Sequence, residues 1–208
     1  TIDNKGKAEI NNGGNFNNNA GSTLNNESGA KIDGSQPISN GGDINNDGNI
    51  KTTVENTEDG KVDAEVTWTD KDGNEHSGSL KDVLEYLKEN PEEASGAKVE
   101  LNKDVEVTEP LEVPSGVELS VPDGTKLEVK PEGTLDNNGT VSVEEGGSLD
   151  NNGTVNNNEG GKLENSGDLN NNSSLKNDGE LENKGTVSNN ENGNLENNGT
   201  IDNKENAE

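Results

Sequence analysis

The chain contains no cysteine and no methionine, and has one Trp, one Tyr and one Phe in 208 residues. All 16 of its basic residues are lysine. Without cysteine there is no disulfide, no thiolate nucleophile and no Cys-ligated metal. Against 43 Asp and Glu, those lysines leave a net charge of -27. Phosphate binding needs clustered positive charge, so a nucleic-acid partner is excluded. Anionic membrane surfaces would repel the chain, and no apolar run approaches the roughly 20 residues of a helical membrane span. No signal-peptide pattern opens at Thr1, so the sequence reads as a mature segment. Only 23% of residues are hydrophobic, which on composition alone describes a disordered spacer.

The placing of the few apolar residues argues the opposite. Between residues 133 and 203, Val143 aside, they are Leu135, Val141, Leu149, Val155, Leu163, Leu169, Leu175, Leu181, Val187, Leu195 and Ile201, each 6 or 8 from the next. Leu135, Val155, Leu175 and Leu195 are each 20 apart, and Leu149 and Leu169 likewise, with Val187 18 further on. A period near 20 with three short apolar faces is the mark of a solenoid, in which one coil buries its side chains only by stacking on the next. Asn and Gly between the faces suit corners, because both tolerate positive φ. Stacked Asn side chains are expected to form amide ladders.

Residues 1–55 carry the same theme. Ile2, Ile10, Phe16, Leu24, Ile32, Ile38, Ile44 and Ile50 are spaced for coils of 18 to 22 residues, giving an N-terminal solenoid block of two to three coils. Residues 56–96 break it. Val62, Ala64, Val66 and Trp68 alternate with polar residues as in a strand. Asp70–Asn74 is a tight turn, and Glu75–Gly78 a return strand. Ser79 is an expected helix N-cap with Asp82 as its capping-box partner. Leu80, Val83, Leu84 and Leu87 mark one helical face, ended by Pro91 and Gly96. With Trp68 and Tyr86 this hairpin and helix are expected to cap an open coil end, which would otherwise expose strand edges. Residues 97–208 form the main block. Within it, Leu101, Val121 and Val141 are 20 apart, as are Val107 and Leu127, which suggests the same coil throughout.

Little catalytic chemistry is on offer. The one histidine, His76, reads as a solvated turn residue. A glycosidase needs two carboxylates roughly 5 to 10 Å apart, one with a raised pKa; here the acids recur in repeating exposed positions with no aromatic platform for a sugar. They are expected to keep the faces soluble and unpaired. Asp70, Asp72, Asn74 and Glu75 offer oxygen ligands at the short spacing that Ca²⁺ favours, as do Asp43, Asn46 and Asp47; neither set has the full EF-hand spacing, and no other cofactor is expected. Asn138, Asn152 and Asn198 sit in Asn-x-Ser/Thr triplets that arise from the repeat itself. Threonines 134, 140, 154, 186 and 200 are too interrupted by Ser and Asp for a regular ice-binding face. Glycan binding has no specific motif.

The run Ala64–Trp68, Asp72-Gly73, Ser79–Leu84, Val99–Val105, Pro110–Leu119 and Gly133–Gly139 resembles the pectate-lyase-like right-handed parallel β-helix modules of bacterial cell-surface adhesins. The resemblance spans about residues 62–203. It implies an all-β, right-handed parallel β-helix in which a hairpin and helix precede the first coil and Asn/Gly/Thr-rich coils follow. Lyases on such a fold would be expected to use a basic residue such as Arg against a metal-bound uronate, and this chain has no Arg. The expected role is therefore structural and non-enzymatic: an extracellular bacterial surface stalk, adhesin or filament segment. Glycan or ice binding is the alternative. A designed solenoid without natural function would also show the idealised Glu89–Ser95 stretch and the missing Met, Cys and Arg. Thr1–Glu9 and Thr200–Glu208 agree at seven of nine positions, so the expected partner is the chain itself, head to tail through its terminal coils.

Overall fold

A computed structural model describes residues 1–205 and 207–208. The chain divides into two compact units, Thr1–Tyr86 and Leu87–Glu208.

The first unit is a stack of three-sided coils. Strands Ile2–Asn4, Thr23–Asn26, Asp43–Asn46 and Lys61–Ala64 form one face in parallel. Glu9–Asn11, Lys31–Asp33 and Asn49–Ile50 form a second, and Phe16–Asn18, Ile38–Asn40 and Val54–Asn56 a third. The apolar spacing sets this register. Ile2 pairs with Leu24, Ile10 with Ile32 and Phe16 with Ile38, and then Leu24 with Ile44 and Ile32 with Ile50. Leu24, Ile32, Ile38, Ile44 and Ile50 make the core, at most 1% exposed.

The hairpin Val66–Thr69 and Glu75–Gly78 pairs with the second face. Ser77 and Gly78 run antiparallel to Ile50 and Asn49. Helix α1, Leu80–Glu89, follows, and the unit boundary falls within it. Its start is held by two acceptors, since Ser79 Oγ accepts from Asp82 N at 3.2 Å and Glu65 Oε2 from Leu80 N at 2.8 Å. Asp82 does not complete a capping box; its carboxylate accepts from Gly29 N, in a coil corner 53 residues away. Pro91 stops α1 but opens a further helix, α2, Pro91–Ala94, as suits a proline in a first helical turn. The sequence pattern gives no sign of it.

In the second unit one face stacks Lys98–Leu101, Glu118–Val121, Thr140–Val143, Lys162–Asn165, Glu180–Asn183 and Thr200–Asn203. The next stacks Val105–Val107, Lys126–Val129, Ser148–Asn151, Asp168–Asn171 and Thr186–Asn189. The third stacks Pro110–Val113, Thr134–Asn137, Thr154–Asn157, Ser174–Asn177 and Asn194–Asn197. The fold is a parallel β-solenoid with coils of about 20 residues. Leu135, Val155, Leu175 and Leu195 pair as their spacing predicts.

The first rung of this unit keeps an offset of 20, Lys98 pairing with Glu118, but the rungs after it are longer, which corrects two expected pairings. Val121 pairs with Val143 and Val141 with Leu119; Leu127 pairs with Val105 and Val107 with Val129. Corners such as Pro114–Gly116 and Pro122–Gly124 add two residues. A slip of two keeps every side chain on its own side of the strand, so the alternation alone cannot reveal it.

Candidate functional site

Each four-residue strand of the repeat points its second and fourth side chains inward. The second is Leu, Val or Ile and forms the apolar ranks. The fourth, in the later coils, is Asn: Asn137, Asn151, Asn157, Asn165, Asn171, Asn177 and Asn183 are at most 1% exposed. In the coils before them Val113, Val129 and Val143 hold that place. Asparagine is therefore a core residue here and not chiefly a corner residue.

The inward amides are tied along the stack. Asn137 Nδ2 donates to Asn157 Oδ1 at 2.8 Å and to Lys162 O at 2.8 Å. Asn157 Nδ2 repeats this with Asn177 Oδ1 and Glu180 O, and Asn177 with Asn197 Oδ1 and Thr200 O. Asn137 Oδ1 also accepts from Gly139 N, fastening the corner that follows. The first unit does the same through Asn4, Asn26 and Asn46, and through Asn18, Asn40 and Asn56. In these ladders Nδ2 points toward later coils and Oδ1 toward earlier ones, so the ladders are polar.

The outward positions form mixed ranks. Thr134, Thr154, Ser174 and Asn194 share one, and Thr140, Lys162, Glu180 and Thr200 another. Lysines thread the acidic ranks. Lys130 bridges Glu106 and Glu128, and Lys162 bridges Glu164 and Glu182. Lys130 hydrogen-bonded to Glu128 holds that carboxyl below its usual range against the opposing effect of burial, and Lys184 does the same for Glu182. The sequon asparagines lie in a second, outer ladder. Asn138 donates to Glu112, Asn152 to Glu128 and Asn198 to Asp178.

The oxygen-rich turn is organised around one carboxylate. Asp70 Oδ1 accepts from Asp72 N and Asn74 N, each at 2.9 Å; Oδ2 accepts from Asn74 Nδ2 at 2.9 Å and meets His76 Nε2 at 3.1 Å. Burial would raise the Asp70 pKa, but these donors together hold it well below the usual carboxylate range. Asp72 points toward Lys71, and Glu75 is exposed in the return strand. Among the described residues no three Asp, Glu or His side chains converge where a metal ion would sit. Asp43 and Asn46 occupy the first and last positions of one strand, so Asp43 faces solvent while Asn46 is buried. His76 is not a solvated turn residue. It is buried, its ring 4.4 Å from that of Trp68. His76 Nδ1 and Trp68 Nε1 are buried with no hydrogen-bond partner among the described residues. An isolated histidine has no periodicity from which its burial could be read.

No catalytic constellation emerges from these ranks; their chemistry is that of stacking. The sequence profile of the haemagglutinin repeat matches residues 1–64 and 126–204, well over half of the chain. The chain belongs to the haemagglutinin repeat family. The match includes the N-terminal coils and leaves out residues 65–125, which hold the hairpin, α1, α2 and the first valine-rich coils. The valine-rich coils have Val113, Val129 and Val143 where the later coils have inward Asn. Haemagglutinin repeats are structural, non-enzymatic repeats typical of secreted surface adhesins. No helix among the described residues is long and apolar enough to cross a membrane. No curated protein and no solved structure matches the chain.

Proposed function

We propose that this chain is a structural segment of a bacterial surface adhesin, set outside the cell, whose coils hold spacing and carry no catalysis. The observation that supports this is the use of the polar groups. Most inward amides are tied into the ladder, outward amides such as Asn138, Asn152 and Asn198 bond to carboxylates one coil away, and the aromatic residues are buried or half-buried. A stack tied coil to coil in this way is suited to bearing length and load, because each coil depends only on its neighbours. Its acidic faces repel one another and keep flat sides from pairing.

The test is labelling of intact producing cells with an antibody against the folded chain, together with incubation of the purified protein with polygalacturonate. Surface label without turnover is expected. Label that appears only after permeabilisation, or measurable turnover, would overturn the reading.

A further inference from the structure

We propose that Asn192 is a site of spontaneous deamidation, and that the stacked coils withhold the same chemistry from the other Asn-Gly pairs of the chain. The inference goes beyond the structural reading above and does not rest on it.

Asn is followed by Gly six times, at Asn12, Asn40, Asn138, Asn152, Asn192 and Asn198. A glycine has no Cβ to keep its backbone nitrogen away from the preceding side chain. In the reaction Gly193 N bonds to Asn192 Cγ and the Cγ–Nδ2 bond breaks. The proton of Gly193 N leaves with the amide nitrogen as ammonia. Water then opens the cyclic imide at either carbonyl, giving aspartate or isoaspartate. The step needs an amide free to turn, a glycine N–H released from its hydrogen bond, and solvent at the site.

The other five pairs are held at the amide. Asn12 and Asn40 are buried, and their Nδ2 groups donate to the carbonyls of Gln36 and Lys61 in the following coil. Asn138 and Asn152 donate to Glu112 and Glu128, and Asn198 to Asp178, all in the coil before. Four of their glycines are held as well. Gly139 N and Gly153 N donate to the ladder amides Asn137 Oδ1 and Asn151 Oδ1, and Gly41 N and Gly199 N to Asn18 O and Asn177 O one coil away. Freeing these groups means breaking the ladder or parting two coils.

Asn192 is placed differently. It is exposed in the turn Glu191-Asn192, and its side chain makes no hydrogen bond among the described residues. Gly193 N donates to Asn190 O at 2.8 Å, and Gly193 O accepts from Asn189 Nδ2 at 3.0 Å, both within the same corner. Opening that corner releases the glycine while the strands on either side stay paired. Exposed turns open locally at the least cost. The exposure belongs to the corner and not to an end of the stack. Pro131-Glu132, Glu145-Gly146 and Glu159-Gly160 form turns of the same kind between inner coils, closed by Gly133 N to Lys130 O, Gly147 N to Glu144 O and Gly161 N to Asn158 O, and they are exposed too. None of those three turns carries Asn before its closing glycine; this one does.

The experiment holds the folded 208-residue chain at mildly alkaline pH beside the same chain unfolded in guanidinium chloride. Tandem mass spectrometry of the digests follows the amide-to-carboxyl mass change at each Asn with time. Unfolded, the six pairs are expected to convert at similar rates. Folded, Asn192 is expected to convert at least about tenfold faster than any of the other five. Asn192→Gln is expected to abolish the early release of ammonia from the folded chain. Conversion of Asn192 no faster than that of the other pairs in the folded chain overturns the proposal. So does a rate order that is already present in guanidinium chloride, or early ammonia release that survives in Asn192→Gln.

Discussion

Asn157 shows what a buried amide contributes when it sits in mid-ladder. It accepts from Asn137, donates to Asn177 and donates to the backbone of Glu180. Asn157→Val therefore strands a donor above and two acceptors below, each costing about 1 to 3 kcal/mol if left buried. Asn137→Val should cost about as much. Val113 precedes it in the rank, so no donor from an earlier coil is lost, but Gly139 N loses its acceptor, and Asn157 Oδ1 and Lys162 O lose their donor. Asn157→Asp should be the most harmful, because a carboxylate would face Asn177 Oδ1 and Glu180 O with no proton between them. Urea unfolding of the three variants checks this: Asn157→Asp least stable, with Asn157→Val and Asn137→Val close to one another between it and the parent. A glycine gives a second comparison. A Cβ on Gly133 would lie 2.0 Å from Val107 O, while one on Gly73, at φ +84, meets nothing within 4 Å. Gly133→Ala is expected to cost upwards of about 2 kcal/mol through forced backbone movement, and Gly73→Ala about 1 kcal/mol through strain alone; thermal melts of both distinguish them.

At the scale of elements, the helix start is the most exposed to single changes. Ser79→Ala removes one of two acceptors at the first turn of α1 and should cost about 1 kcal/mol. Glu65→Gln keeps a hydrogen bond to Leu80 N but loses its charge near the helix N-terminus, with an expected loss of about 0.5 kcal/mol. Faster hydrogen exchange at Leu80 and Asp82 reports each loss locally; an equal acceleration across all the coils would contradict this placement.

Much of the coil register is legible in the sequence. Ile2 with Leu24, Ile10 with Ile32 and Leu135 with Val155 follow from spacing alone, because burial fixes which residues face in. The Val121–Val143 pairing is not legible, since a longer corner shifts it by two residues without changing sides. The inward asparagines are half legible: their stacking follows from the repeat, but their burial contradicts the rule that Asn belongs at surfaces and turns. That burial explains why 23% hydrophobic residues suffice for a folded unit. The partner of Asp82 is hidden because Gly29 is distant in sequence. His76, Asp70 and Trp68 meet across a hairpin for which no repeat gives guidance.

For the whole molecule, charge and pairing act in opposite directions as pH changes. At neutral pH the net charge of -27 destabilises the compact state by self-repulsion. Lowering the pH toward the sequence pI near 4.1 relieves that repulsion. Against this, Asp70, Glu112, Glu128, Asp178 and Glu182 are held below their usual range by hydrogen bonds and lysines. A carboxyl whose folded pKa is depressed contributes stability above its unfolded value, near 4, and loses that stability as pH falls through the folded value. Five depressed groups among 43 acids leave the bulk repulsion dominant above about pH 5. The melting temperature should therefore stay nearly level from about pH 8 to about pH 6, rise toward about pH 5 as carboxyls begin to take up protons, and fall again below about pH 4. Adding salt to roughly half molar at the alkaline end should recover part of that rise by screening the same repulsion. A melt series by circular dichroism that fell monotonically on acidification would mean that pairing, not repulsion, governs the stack over the whole range.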